Sequence, residues 1–180
     1  MLRIIEFAHK IIKDKVSGKD ICVDMTIGNG NDTLFMAKIA KFVYGFDIQQ
    51  LAIDNTTKLL KDNNISNYQL YLSSHENVNK LINEKVKAFI FNLGYLPTGD
   101  KSFTTKYDST ILAVNNALDM LDDKGVIVLV VYTGHDNGKI EEEKILEYIK
   151  TLSQKQYDVI SYKFINQINN PPYCIVIERK

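Results

Sequence analysis

The stretch DICVDMTIGNGNDT (20–33) constrains this chain more than any other segment. A β-branched apolar run ends in a turn holding two glycines and several short polar side chains, and Asp32 to Lys41 then reads as a helix. Strand, tight loop and helix in that order open a parallel, open sheet. Such sheets bind ligands at the carboxyl ends of their strands near the switch point, so this loop is the first candidate site.

The alternation continues. FVYGFDI (42–48) reads as a second strand with an acid at its end, followed by a helix from Gln49 to about Asn63. YQLYL (68–72) is a third strand, Glu76 to Asn83 a short helix and KAFIFNL (87–93) a fourth strand. Tyr107 to Leu121 is a helix, Asp122 to Gly125 a turn, and VIVLVVY (126–132) a strand so continuously apolar that both its faces must be covered. Lys139 to Leu152 forms another helix before strands at Tyr157–Phe164 and Tyr173–Glu178. INQINNPP between them is too short for a parallel crossover, which requires an antiparallel hairpin. Ahead of everything, Ile4, Ile5, Ala8, Ile11, Ile12 and Val16 stand at helical spacing, and His9 beside them is assigned to surface or packing. The expected fold is α/β and Rossmann-like: a seven-stranded, mostly parallel sheet with a C-terminal antiparallel hairpin and helices on both faces, in a single domain over 1–180.

Charge narrows the partners. The 22 Lys and Arg balance 22 Asp and Glu, so no overall field attracts a polyanion, and a nucleic acid would need a local patch such as Lys101 and Lys106 or Lys10, Lys13 and Lys15. No run approaches the ~18 apolar residues of a membrane span, so a cytoplasmic protein is expected, with neither membrane nor DNA as partner. Cys22 and Cys174 lie in apolar runs without metal-ligand spacing and are expected to be free, buried thiols, with no metal site.

The loop chemistry points to one kind of ligand. Gly28 and Gly30 allow positive φ and close backbone approach, and Asn29, Asn31, Asp32 and Thr33 can hydrogen-bond or cap the next helix. A nicotinamide fingerprint would need glycine where Thr33 stands. Asp24 at the strand end suits an ammonium or sulfonium and repels phosphate. Asp47, 17 residues beyond Gly30, is placed to accept both hydroxyls of a ribose, or else to cap the helix that follows. Ile48 and Gln49 would flank an adenine, and Ser74 and His75 end the third strand where its amino group would be read, a surface or capping role for His75 being the alternative. With Thr26 in the same loop, the set describes a site for S-adenosylmethionine.

The fourth strand ends in Asn92-Leu93-Gly94-Tyr95-Leu96-Pro97, where a methyl acceptor must meet the cofactor. The Asn92 carbonyl can accept an amine N–H and hold its lone pair toward the methyl carbon, and Tyr95 can stack on a base. An alkylammonium acceptor must first lose a proton, with Asp100 and His135 as candidate groups. Asn170-Pro171-Pro172-Tyr173 spells an adenine-amino methyltransferase motif, yet only seven residues follow it and the fourth strand already carries the acceptor position, so a plain turn is the reading adopted.

DMTIGNGNDT, FDIQ, SSHE, NLGYLPTGDK, VYTGHDNG and NQINNPPYCIVIE together resemble the MnmM-like (YtqB-like) family across essentially the whole chain. The resemblance implies a class I methyltransferase fold, S-adenosylmethionine as cofactor, and methylation of the aminomethyl group of 5-aminomethyl(-2-thio)uridine at the tRNA wobble position, with the anticodon arm recognised. It carries the cofactor role onto Asp24, Gly28 to Thr33, Asp47, Gln49 and His75, and the acceptor role onto Asn92 to Tyr95. Thr98 and Thr133 depart from the glycine and proline of the family pattern. Ribosomal RNA or a small amine as acceptor, and a noncatalytic module that binds S-adenosylmethionine, are the competing readings.

Overall fold

The computed structural model describes residues 1–93, 107–132, 136–168 and 171–180, with the backbone alone for 136–141. Along the chain come α1 (Ile4–Lys15), β1 (Ile21–Asp24), α2 (Asn31–Ala37), β2 (Phe42–Asp47), α3 (Gln50–Asp62) and β3 (Tyr68–Leu72). A 3₁₀ turn (His75–Asn77), α4 (Val78–Leu81), β4 (Val86–Leu93), α5 (Tyr107–Met120), β5 (Leu121–Val131), α6 (Asp136–Ile149), β6 (Tyr157–Tyr162) and β7 (Tyr173–Arg179) follow. The seven strands form one sheet in the order β3-β2-β1-β4-β5-β7-β6. All neighbours are parallel except β7, which is antiparallel to both β5 and β6, as the short connection demands. This is the Rossmann-like class I methyltransferase fold.

Strand periodicity divides the core into two layers. In β4, Ala88 and Ile90 face one side while Phe89, Phe91 and Leu93 face the other. The same alternation separates Val126, Val128 and Val130 from Ile127, Leu129 and Val131 in β5. Ile4, Ala8 and Ile12, one turn apart on α1, cover the first side together with Met36 and Ala37 of α2; α5 and α6 cover the second with Ala113, Val114, Ala117, Ile145 and Ile149. Phe89 and Phe91 are wholly buried, so truncating either to alanine costs about 3 to 5 kcal/mol. Cys22 and Cys174 are free and lie in the first layer.

Several boundaries differ from expectation, among them α6, which runs Asp136–Ile149 where Lys139–Leu152 was expected, and β6, which ends at Tyr162 and not at Phe164. α2 stops at Ala37 instead of reaching Lys41, because the Asn67 amide caps the Ala37 and Ala40 carbonyls at 3.0 and 3.1 Å and the Lys41 N–H turns to Asp20 O at 2.8 Å. The turn expected at Asp122–Gly125 is absorbed into β5, whose pairing with β4 shifts register between Val86 and Ala88 around Lys124 at φ +56°. The helix expected over 76–83 is one 3₁₀ turn and one α-turn. Among the described residues no helix is long and apolar enough to cross a membrane.

Candidate functional site

The chain leaves β1 in both directions across the sheet, to β2 and β3 on one side and to β4 and β5 on the other, so the crevice of the fold opens at the carboxyl ends of β1 and β4. Asp24 closes β1 and Asn92 lies near the end of β4, two residues past the partner of Asp24 in the parallel register.

Asp24 is 0% exposed. Its carboxylate accepts the Thr33 hydroxyl at 2.6 Å and the Thr26 N–H at 3.2 Å. Burial first, then the neighbouring Asp32 carboxylate, raise its pKa well above the carboxylate range; the Thr33 and Thr26 hydrogen bonds oppose the shift and Asp47 adds to it. None of these acting groups is a cation, so a ligand that brings positive charge removes the penalty.

Asp47 clamps two loops. One carboxylate oxygen accepts the Gly28 N–H at 3.0 Å and the other the N–H of Gln49, the residue that caps α3, at 2.9 Å. Gly28 and Gly30 both hold positive φ, +54° and +78°. At Gly30 the close neighbour is protein: an added Cβ would come within 2.5 Å of the Thr56 hydroxyl on α3, so the glycine lets α2 and α3 approach. Asn29 and Asn31 are exposed on the loop. No side chain caps α2, whose N-cap is Gly30. Of the two roles open to Asp32 and Thr33, hydrogen bonding and capping, both take the first: Thr33 donates to Asp24, and Asp32 accepts from His9 and Asn92.

Asp32 joins α1 to the end of β4. Its Oδ1 takes His9 Nε2 at 2.5 Å and its Oδ2 takes Asn92 Nδ2 at 2.5 Å, while the Asn92 backbone N–H donates to Thr26 Oγ1 at 2.6 Å. The His9 ring stacks on Phe35 with centroids 3.9 Å apart and planes 6° from parallel. Tyr132, one residue past the end of β5, is 42% exposed, and burial of its ring followed by the Asp32 charge raises its phenol pKa. His9 thus packs, on Phe35, and in addition pairs with Asp32, a contact that helix periodicity does not show because the partner lies 23 residues away. Tyr132, which feels the Asp32 charge, follows a strand that was read only for its apolarity.

The remaining predicted residues divide. Ile48 is half exposed and Gln49 and Ser74 are partly buried, Ser74 capping the 3₁₀ turn. His75 is only 8% exposed: Nδ1 lies 3.2 Å from the Met25 carbonyl, the ring meets Phe91 edge-on, and Nε2 has no partner among the described residues. Burial lowers its pKa, so the ring is neutral and Nδ1–H is the donor to Met25. The surface placement weighed for it does not hold. Tyr173 begins β7, packed into the core layer of α5 and α6, and burial followed by the Glu142 charge raises its phenol pKa. Gly94, Tyr95, Thr98, Asp100, Lys101, Lys106, Thr133, His135 and Asn170 lie outside the described residues.

Residues 43–178 match the family profile described as "Putative rRNA methylase". The chain is 32% identical over 97% of its length to the chloroplastic tRNA (mnm(5)s(2)U34)-methyltransferase of Arabidopsis thaliana, covering 69% of that protein. Two solved structures superpose over the whole chain. One is a "putative rRNA-methylase" from Clostridium thermocellum, with a TM-score of 0.97, 43% identity and 100% of that chain covered. The other is a "putative methyltransferase" from Streptococcus mutans in complex with SAH, with a TM-score of 0.95, 38% identity and 99% of that chain covered.

Proposed function

The chain belongs to the rRNA methylase family and is a class I S-adenosylmethionine-dependent methyltransferase, and on that premise we propose that its acceptor is RNA: the aminomethyl nitrogen of 5-aminomethyl(-2-thio)uridine at the tRNA wobble position. The observation that carries the reading is the group of carboxylates, Asp24 and Asp47 at the ends of β1 and β2 and Asp32 in the first turn of α2, with Asn92 held beside Asp32. S-adenosylmethionine carries an α-ammonium and a sulfonium, the charges that a wholly buried Asp24 requires, so the residues fit the cofactor. Asp24 holds its cationic end, the Gly28–Thr33 loop lies along it, and Asp47 receives the ribose while Ile48, Gln49, Ser74 and His75 border the adenine.

The cofactor supplies an electrophilic methyl group: the amine lone pair forms the N–C bond as the C–S electron pair returns to sulfur. The chain's part is to position that amine. The Asn92 carbonyl accepts one amine N–H, which points the lone pair along the line of attack. Gly94 and Tyr95 complete the proposed acceptor set, and Asp100 or His135 takes the proton that an alkylammonium must lose. Of the basic residues on α1, Lys10 pairs with Asp14 and Lys15 with Glu178, which leaves Lys13, together with Lys101 and Lys106, to meet phosphates of the anticodon arm. With so few contacts the affinity is modest, and its salt dependence scales with the number of phosphates met.

The test is methyl transfer from labelled S-adenosylmethionine to tRNA from cells that lack this gene, read by nucleoside mass spectrometry. The expected product is 5-methylaminomethyl-(2-thio)uridine. Cofactor binding with no labelled tRNA would defeat the wobble assignment and direct the search to ribosomal RNA, which the family description favours, and to small amines.

A further inference from the structure

We propose that His9 is a positioning residue for methyl transfer, acting through Asp32 to fix which edge of the Asn92 amide faces the acceptor. The proposal rests on the reading that Asn92 receives an N–H of the substrate.

A carboxylate accepts and does not donate, so both short contacts on Asp32 are donated to it. His9 Nε2–H occupies Oδ1 and Asn92 Nδ2–H occupies Oδ2, each at 2.5 Å. The second bond turns the NH2 edge of Asn92 toward α2 and puts the carbonyl oxygen on the opposite corner of the planar amide. The Asn92 main-chain N–H is taken separately by Thr26, so the strand end is held by one bond and the side chain by another. A flipped amide would set its carbonyl against the carboxylate, acceptor against acceptor, and would offer an amine substrate N–H where it needs a carbonyl.

Asp32 can impose this only if it is itself held. Its second oxygen is tied by His9, and His9 is fixed by stacking on Phe35 and by its seat on α1 between the buried Ala8 and Ile12. The chain from core to acceptor thus runs Ala8 and Ile12, His9, Asp32, Asn92. Without the imidazole, one Asp32 oxygen loses its partner, the carboxylate rotates, and the amide no longer has a single preferred orientation. The first helix, which packs on one face of the sheet, reaches the proposed reacting centre through His9.

The full-length enzyme provides the test. His9→Ala is expected to lower kcat about tenfold while the KM for tRNA and the Kd for S-adenosylmethionine stay within twofold. His9→Gln, which returns an N–H donor at similar reach, is expected to recover kcat to within threefold of the parent. In an Asn92→Ala background His9→Ala should add no further loss, because nothing is left to orient. A second readout is independent of activity: the Asn92 side-chain amide, bonded to a carboxylate, should show a displaced and exchange-protected ¹⁵N–H signal that disappears in His9→Ala and persists in His9→Gln. Independent, multiplicative losses for the two alanine variants, or an unchanged Asn92 amide signal in His9→Ala, would overturn the proposal. If the parent methylates no tRNA but the amide signal follows His9 as described, the substrate reading fails and the positioning chain stands.

Discussion

The side-chain amide of Asn92 donates to the Asp32 carboxylate across 60 residues of sequence, tying the end of β4 to the first turn of α2. That bond couples the side on which the cofactor is proposed to lie to the side on which the acceptor is proposed to arrive. Asn92→Ala removes it without disturbing the main-chain bond from Asn92 to Thr26. The variant should bind S-adenosylmethionine with a Kd within twofold of the parent and lose about 100-fold in kcat, as expected when a positioned nucleophile is released. Calorimetric titration with single-turnover transfer checks it; transfer at the parental rate would remove Asn92 from the acceptor site.

The sign of the pH dependence follows from Asp24. Its folded pKa is raised, chiefly by burial and then by Asp32, so the folded state binds more protons than the unfolded state between the ordinary carboxylate range and the raised value. Stability from this group is therefore present at low pH and is lost as pH rises through that window. Asp24→Asn, which keeps an oxygen for the Thr26 N–H and an amide for the Thr33 hydroxyl, should flatten the slope, raise stability near pH 8 and weaken cofactor binding at least tenfold. Urea unfolding from pH 5 to 8 measures the first effect.

The same charge makes cofactor binding proton-linked. A cation beside Asp24 favours its ionised form, so binding near neutral pH should release protons. Calorimetry in buffers of different ionisation enthalpy should give enthalpies that vary with the buffer for the parent and not for Asp24→Asn.

Replacing Asp47 with alanine leaves the Gly28 and Gln49 N–H groups without their acceptor. The expected cost is about 1 to 3 kcal/mol of stability. Loss of cofactor binding should exceed tenfold, because the loop is released and the ribose acid is gone. Retained binding with only the stability loss would make Asp47 the cap of α3 and nothing more.

Gly30→Ala tests packing against ligand contact. The new methyl would meet Thr56 at 2.5 Å on a backbone held at φ +78°, so destabilisation of about 2 kcal/mol or more is expected. Thr56→Ala in the same chain should recover part of it by removing the clash while leaving the backbone strain. No recovery would return the requirement for glycine to the ligand side of the loop.

What was legible in the sequence is what local chemistry writes into it. Apolar and β-branched runs marked every strand, the eight residues of INQINNPP forced β7 to run against β6, and two glycines after an acid marked the tight turn between β1 and α2. Each of these depends on neighbours within a turn or a pleat. The tertiary structure alone decided which polar groups meet. Asp32 read as a residue that bonds or caps and His9 as surface or packing, and neither reading named the other, because their pairing depends on α1 lying against the start of α2. The raised pKa of Asp24 depends on its complete burial, and the glycine at position 30 answers to a threonine on another helix. Periodicity determines which face of an element is buried; only the packing of distant elements determines which side chain each buried polar atom faces.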